Sequence, residues 1–127
     1  MQLADHVVQD VGRVLNPALV TGQQHGAAGQ VVGWAVLEEL VHGADGELRS
    51  GSFLDYALPQ VDDVGELLTT NVEVPAPEGP LGAKGIGEAP VIPGAAAVAN
   101  AVAAATGLRL RELPMSRQRV WQALRDG

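Results

Sequence analysis

The stretch LGAKGIGEAPVIPGAAAVANAVAAATG, from Leu81 to Gly107, contains the two segments that decide the fold. Its second part predicts a helix over Pro93–Thr106. Pro93 suits a first helical position, alanines and valines fill the interior, and Gly107 is a natural C-terminal cap. Its first part sets three glycines, a lysine and a single glutamate between apolar residues. We therefore expect a glycine-rich loop that leads directly into a helix.

The segment before this loop predicts a strand. Leu67–Val74, LLTTNVEV, is rich in β-forming residues and alternates over half of its length. Pro75, Pro77 and Pro80 follow and favour an extended connection, because proline restricts both itself and the residue before it. The glycine loop is thus predicted to join a strand to a helix.

The N-terminal third predicts a strand followed by a helix. His6–Val14 reads as a strand and a turn, and Asn16-Pro17 is expected to stop any regular element. From Gly22 to Val41 apolar residues recur at helical spacing. Small residues stand on this helix at intervals of three or four: Gly26, Gly29 and Gly33. Since each glycine costs a helix about 1 kcal/mol relative to alanine, we expect a neighbouring backbone or a ligand to come very close.

The remaining segments complete an alternation of strands and helices. Gly43–Gly46 is a turn signal, and Glu47–Pro59 fits a short strand or hairpin arm. LRLREL, residues 108–113, alternates like a strand with one dry face, and Ser116 is expected to cap a last helix through Leu124. The sequence therefore predicts an α+β fold in a single domain, residues 1–127.

Composition excludes several classes of function. The net charge of −7 and a pI near 4.7 disfavour nucleic acid, which requires a basic surface. Cysteine is absent, so there is no disulfide, thiolate metal site or cysteine nucleophile. No apolar run is long enough for a membrane span, and the N-terminus lacks a signal-peptide pattern. We expect a soluble cytoplasmic protein, with a core that is thin for a monomer because aromatics make up 3% of the chain.

The glycine loop has the features of a binding site. Gly82, Gly85 and Gly87 would permit φ > 0 and leave backbone N–H groups unshielded, an arrangement that can cradle an anion. The loop lacks the Gly-Lys-Ser/Thr ending of a P-loop, and its glycine spacing and preceding strand differ from those of the dinucleotide-binding motif. Glu88 has two interpretations at this point: a catalytic carboxylate, or a side chain that caps the next helix or interacts with its dipole.

Several motifs, in order along the chain, carry a family resemblance. They are DVGRVLNPALVTGQQHGAAGQVVGWAVLEEL (Asp10–Leu40), SFLDYALP, VEVPAPEGPLGAKGIGE, and GAKGIGEAPVIPGAAAVANAVAAATGLRLRELP (Gly82–Pro114). Together they closely resemble the C-terminal part of the molybdopterin-binding large subunit of xanthine dehydrogenases and aldehyde oxidases. The resemblance covers nearly the whole chain and implies the fold of that family's C-terminal cofactor-binding domain.

The resemblance implies roles for individual residues. Glu88 falls on the family's general base in the hydroxylation of an aldehyde, purine or N-heterocycle with water as the oxygen source. Gly85, Ile86 and Gly87 fall against a molybdopterin-type molybdenum cofactor. Gln23 matches a glutamine that hydrogen-bonds near the molybdenum centre; its alternative is a helix contact with no ligand. Lys84 is a weaker candidate for a cofactor contact.

The family's large subunit is several times longer than this chain, so two hypotheses stand. In the first, the chain works as an oxidoreductase only when assembled with the remainder of the molybdenum subunit and with iron-sulfur and flavin subunits or domains. In the second, it is a stand-alone, cofactor-free structural or interaction domain that forms a homo-oligomer. The isolated chain is expected to be inactive under either hypothesis.

Overall fold

The computed structural model describes residues 4–127, and the predicted α+β class is confirmed. Three α-helices and one small sheet make up its regular structure over these residues. The strands are β1 (Ala4–Asp10) and β2 (Glu66–Val72), and the helices are α1 (Pro17–Val32), α2 (Gly94–Thr106) and α3 (Arg117–Asp126). A π-helical turn, Gly33–Leu37, extends α1, and a 3₁₀ turn, Pro80–Gly82, precedes the glycine loop.

The two strands pair in parallel, which brings distant parts of the chain together. The register runs from Ala4 opposite Glu66 to Asp10 opposite Val72. A parallel pair needs a long crossover connection, and α1 with the segment 38–65 provides it. The carboxyl ends of both strands therefore lie at the same edge of the sheet. The connection toward the glycine loop starts from that edge.

The start of α1 corrects the prediction that Asn16-Pro17 stops regular structure and that the helix runs from Gly22 to Val41. The Asn16 side chain caps α1 by accepting a hydrogen bond from the N–H of Leu19 at 3.2 Å, and Pro17 occupies the first turn. Proline is tolerated there because that turn needs no intrahelical N–H donor. The same Asn-Pro pair that breaks a strand thus begins a helix.

The core lies between α1, its π-helical turn and α2. Its buried members are Val31, Ala35, Val98, Val102 and Met115. Gly94, the first residue of α2, lies directly against the Val31 side chain, so that a Cβ at position 94 would collide with it. A glycine here lets α2 begin in contact with α1.

The three glycines for which we expected a neighbouring backbone or a ligand differ, and the one that is closely approached, in the π-helical turn, is met by side chains. Gly33 is met by the Glu38 carboxylate and by Pro59. At Gly26 and Gly29, an added Cβ would meet no atom of residues 4–127 within 4 Å. No neighbouring backbone therefore comes close to these two glycines within the described chain, and the alternative, a ligand, stays a prediction.

Of the remaining predicted elements, the helices are found and the strands are not. The helix ending at Gly107 is confirmed, with Gly107 at φ 75°, and Ser116 caps α3 through the N–H of Arg119. The short strand or hairpin arm predicted in Glu47–Pro59 is reduced to one antiparallel bridge, between Leu48 and His42 across the turn at 43–46. The strand predicted in residues 108–113 is wrong, because within residues 4–127 that segment pairs with no strand. The leucine alternation in 108–113 instead reflects packing of Leu110 on the core. No helix in residues 4–127 combines the length and apolar content that crossing a bilayer requires.

Candidate functional site

The start of the glycine loop lies on the residues that follow β1. The Gly82 carbonyl accepts a hydrogen bond from the N–H of Arg13 at 2.9 Å, and the Lys84 N–H donates to the Val11 carbonyl at 3.3 Å. Gly12, at φ 66°, pairs with Ala83, and a Cβ on Gly12 would lie 2.5 Å from the Gly82 oxygen. Only a glycine at position 12 permits this close approach.

An ion pair strengthens the same junction. Lys84 Nζ lies 2.6 Å from Asp10 Oδ2, and Asp10 Oδ1 accepts from the N–H groups of Gly12 and Val74 at 2.9 and 3.3 Å. The hydrogen bond from Lys84, followed by the one from Gly12, holds the pKa of Asp10 below its usual value of 3.8. Lys84, a weak candidate for a cofactor contact, thus joins the loop to the end of β1.

Beyond Lys84 the loop is bare. Gly85, Gly87 and Glu88 are exposed and Ile86 is half-buried. Across residues 4–127, none of the four N–H groups at positions 85–88 donates a hydrogen bond to another protein group. An added Cβ at Gly85 would meet no described atom within 4 Å. Four consecutive backbone donors are therefore free to bind an outside group.

The expectation that the loop glycines serve to permit a positive φ is only partly right. Gly82 has a positive φ of 78°, but Gly85 and Gly87 do not lie in the left-handed region. Their effect is instead the absence of a side chain on an exposed backbone. The loop is therefore open because of missing atoms rather than an unusual chain conformation.

Gln23 on α1 lies beside the loop. Its side chain is exposed, and a Cβ added at Gly87 would lie 3.6 Å from Gln23 Oε1. The structure thus brings together two residues that the sequence separates widely and that were both predicted to contact a cofactor. The neighbouring amide adds a side-chain donor and acceptor to the row of backbone N–H groups.

Glu88 projects from the end of this bare stretch. Over the described residues its carboxylate forms no hydrogen bond or ion pair, while its backbone carbonyl accepts from the N–H of Val91 at 3.0 Å. Pro93 is the N-terminal cap residue of α2, and no side chain caps that helix. The capping interpretation of Glu88 is therefore wrong, and its carboxylate is available to another group.

Sequence reasoning missed a buried amide network behind the loop. Gln24 is 0% exposed and Gln9 is 6% exposed. Gln24 Nε2 donates to Gln9 Oε1 at 3.3 Å and to Asn71 Oδ1 at 2.8 Å, and Gln9 Nε2 donates to the Ile86 carbonyl at 3.3 Å. The available signal was the position of Gln24 one turn before Ala27 and Ala28, on the apolar face of α1.

The arrangement suits a polar organic ligand better than a metal ion held by protein ligands. Within residues 4–127 no three His, Cys, Asp or Glu side chains lie close enough to share a metal. Backbone N–H groups, an amide and a carboxylate are instead the groups that hold a polar, hydrogen-bonding ligand. The open space at Gly85 and Gly87 leaves room for such a ligand against the chain.

Comparison with known proteins gives a consistent result. The family described as "Molybdopterin cofactor-binding domain" matches residues 3–65. The putative xanthine dehydrogenase molybdenum-binding subunit of Escherichia coli (strain K12) is 41% identical over 116 residues, which is 91% of this chain and 15% of that protein. The nicotine 6-hydroxylase large subunit of Paenarthrobacter nicotinovorans is 37% identical over 119 residues, again 91% of this chain and 15% of the relative.

Solved structures agree with the sequence relatives. The quinoline 2-oxidoreductase of Pseudomonas putida 86 superposes with a TM-score of 0.90 at 31% identity, covering 98% of this chain and 16% of that one. The aldehyde oxidoreductase of Desulfovibrio gigas superposes with a TM-score of 0.85 at 30% identity, covering 94% and 13%. The chain thus spans about 15% of the length of these relatives.

Proposed function

Because this chain belongs to the molybdopterin cofactor-binding family of xanthine dehydrogenases and aldehyde oxidases, we propose that it supplies the catalytic base and part of the cofactor cavity of a molybdenum hydroxylase. Glu88 is the base in this proposal. The observation that carries it is an exposed carboxylate that has no hydrogen-bond or ion-pair partner among residues 4–127, at the end of four backbone N–H groups that are equally unpaired there.

The residues of the bare stretch fit the cofactor of this family. Gly85 and Gly87 leave space beside the backbone, and the Gln23 amide faces that space. In the proposed enzyme, the N–H groups of Gly85, Ile86 and Gly87 and the amide of Gln23 hold the molybdopterin-type cofactor. When bound, the cofactor supplies the two-electron oxidation of the substrate carbon.

Glu88 provides the proton transfer that this chemistry needs. Its carboxylate takes a proton from the water that becomes the product hydroxyl group, and holds that proton at one of its two oxygens. A positioned general base typically contributes a factor of about 10² to 10⁴ in rate. The substrate class is an aldehyde, a purine or an N-heterocycle.

The proposed partner is the remainder of a molybdenum-binding large subunit, working with iron-sulfur and flavin subunits or domains. Phe53 is 84% exposed, Leu54 97% and Ile92 81%. Contiguous exposed apolar surface is typical of protein interfaces. These exposed apolar side chains support a protein partner for this chain.

The test is to purify the chain with its companions and to measure molybdenum by mass spectrometry together with the native mass. We expect molybdenum and a companion that carries the rest of the large subunit. Glu88→Gln should lower kcat at least about 10²-fold while the molybdenum content stays unchanged. Glu78→Gln is the matched control, because Glu78 is another exposed glutamate between β2 and α2. This variant should leave kcat unchanged.

Two outcomes would contradict the proposal. One is a metal-free homo-oligomer without a companion, which would establish the cofactor-free structural domain instead. The other is full turnover by the Glu88→Gln enzyme with its metal bound, which would remove Glu88 from the chemistry.

A further inference from the structure

A chain of amides connects the interior of the protein to the loop that carries Glu88. It begins at Gln24 on α1, passes through Gln9 on β1 and ends at the Ile86 carbonyl, with donor–acceptor distances of 3.3 Å at both steps. Both glutamines are buried, and Ile86 lies two residues before Glu88. The connection joins groups 77 residues apart in the sequence.

The direction of this relay is fixed by its last member. The Ile86 carbonyl can only accept, so Gln9 must turn its Nε2 toward the loop and its Oε1 toward α1. Gln24 must then present its own Nε2, which donates to Gln9 and to Asn71. Gln24 Oε1 is left buried without a partner among the described residues.

A buried amide with an unpartnered oxygen lowers stability. The neighbours of Gln24 on its helical face, Ala27, Ala28 and Val31, are all buried and apolar. An apolar residue at position 24 would match this face and avoid the unpartnered oxygen. Stability at this position is therefore given up for the hydrogen bond that Gln24 makes to Gln9.

The relay acts on the last attached residue before Glu88. The backbone hydrogen bonds from the β1 end reach no further than Lys84, and the N–H groups of residues 85–88 have no partner within the described chain. Gln9 is the side chain that holds this bare stretch, at the Ile86 carbonyl. Release of Ile86 would leave the backbone from Gly85 to Gly87 held only at its two ends.

We propose that Gln24 is a positioning residue, which orients Gln9 so that the Ile86 carbonyl and the Glu88 carboxylate stay in one place. The proposal rests on the proposed role of Glu88 as the base. In this proposal Gln24 affects turnover although it contacts neither substrate nor cofactor.

The first experiment measures the loop itself. The full chain is labelled with ¹⁵N, in the assembled enzyme where it requires its companions, and backbone order parameters are compared for the wild type, Gln24→Met and Gln9→Met. Methionine keeps the volume and removes the amide. We expect both variants to lower the order parameters of residues 85–88 from rigid to flexible values. Gln30→Met, at an exposed glutamine on the same helix, is the control and should change nothing.

The second experiment measures the assembled enzyme. We expect Gln24→Met to lower kcat about 10-fold, with KM within about twofold and unchanged molybdenum content, because the base is displaced while binding is kept. The double variant Gln9→Met/Gln24→Met should be no slower than either single variant, since the two residues act as one unit.

The proposal is overturned if Gln24→Met folds and leaves the order parameters of residues 85–88 unchanged. It is also overturned if the double variant lowers kcat by the product of the two single effects, as independent residues would. If Gln24→Met fails to fold, Gln9→Met decides through the same two measurements. Failure of the proposed function is recognised separately, because full turnover by Glu88→Gln leaves the order-parameter result intact.

Discussion

The glycine loop, residues 79–88, and the connection, residues 38–65, both lie largely outside helices and strands, yet they are held in opposite ways. The loop is attached to residues at the other end of the sequence through the bonds of Gly82, Lys84 and Ile86 to residues 9–13. Most hydrogen bonds of the connection are local, such as Gly43 to Glu47 and Tyr56 to Ser52.

The difference separates a segment that exposes backbone polar groups from a segment that exposes apolar side chains. The loop is fixed at its start and bare at its end, as a site must be that presents a few groups in a set geometry. The connection folds on itself and exposes apolar side chains such as Phe53 and Leu54. Within the connection, Tyr56 donates a hydrogen bond to the Glu38 carboxylate at 2.6 Å. Ion pairs of Glu39 with Arg119 and of Asp63 with Arg117 link the connection to α3.

The largest expected effect comes from separating the loop from β1. Gly12→Ala places a Cβ 2.5 Å from the Gly82 oxygen at a positive φ, so the loop must move. We expect the free energy of unfolding to fall by about 2–4 kcal/mol, from left-handed strain together with the steric clash. Urea denaturation measures this loss. A smaller loss than that caused by Gly46→Ala, described next, would show that the loop is only weakly attached to β1.

Gly46→Ala makes the same kind of change in the connection. Gly46 also has a positive φ, 83°, but an added Cβ meets nothing described within 4 Å. Strain alone should then lower the free energy of unfolding by about 1 kcal/mol in the same urea experiment. An equal loss at Gly12 and Gly46 would contradict the contrast between the two segments.

The Asp10–Lys84 pair predicts a pH dependence. Because the pKa of Asp10 is lowered in the folded protein, its stabilisation is present above its unfolded value and is lost as pH falls through the lower folded value. Asp10→Asn should therefore be less stable than wild type near about pH 7, and the difference should shrink toward about pH 2. Urea midpoints across this range test it, with Asp62→Asn, an exposed carboxylate of the connection, as the control.

The smallest expected effect on stability comes from the surface of the connection. Leu54 is 97% exposed, so Leu54→Ser should change the free energy of unfolding of the chain by less than about 0.5 kcal/mol. The same variant should weaken retention of the companion subunit in native mass measurements. A large loss of stability in the chain alone would show that this surface packs internally.

Local signals in the sequence were sufficient for several elements. The cap residues Gly107 and Ser116 placed the ends of α2 and α3 within a residue or two, because capping depends on the chain's own nearest neighbours. The strand over residues 67–74 was found to within two residues for a similar reason, since its β-forming residues are contiguous. The glycines of the loop and Glu88 stood out from the sequence itself, whereas Gln23 and the roles predicted for all of these residues came from the family resemblance.

Most of the predictions that failed concern contacts between distant segments, and one concerns a local ambiguity. LRLREL alternates like a strand, but pairing needs a partner strand, and residues 108–113 have none. Asn16-Pro17 was read as a stop because its local geometry suits both a turn and a helix start. The Gln24–Gln9–Ile86 relay exists only after β1, α1 and the loop have come together, so composition and spacing carry little sign of it.

The parallel pairing of β1 with β2 also governs when the site can form during synthesis. Residues 4–10 are made early and must wait for residues 66–72 before they have a partner, and Gln9 waits longer still for Ile86. Closing such long intervals carries an entropic cost that no local contact offsets beforehand. A nascent chain can therefore complete α1 before the loop that carries Glu88 has a fixed position. Under the proposed function, this segment would bind the cofactor only after the glycine loop has been made and has docked on β1.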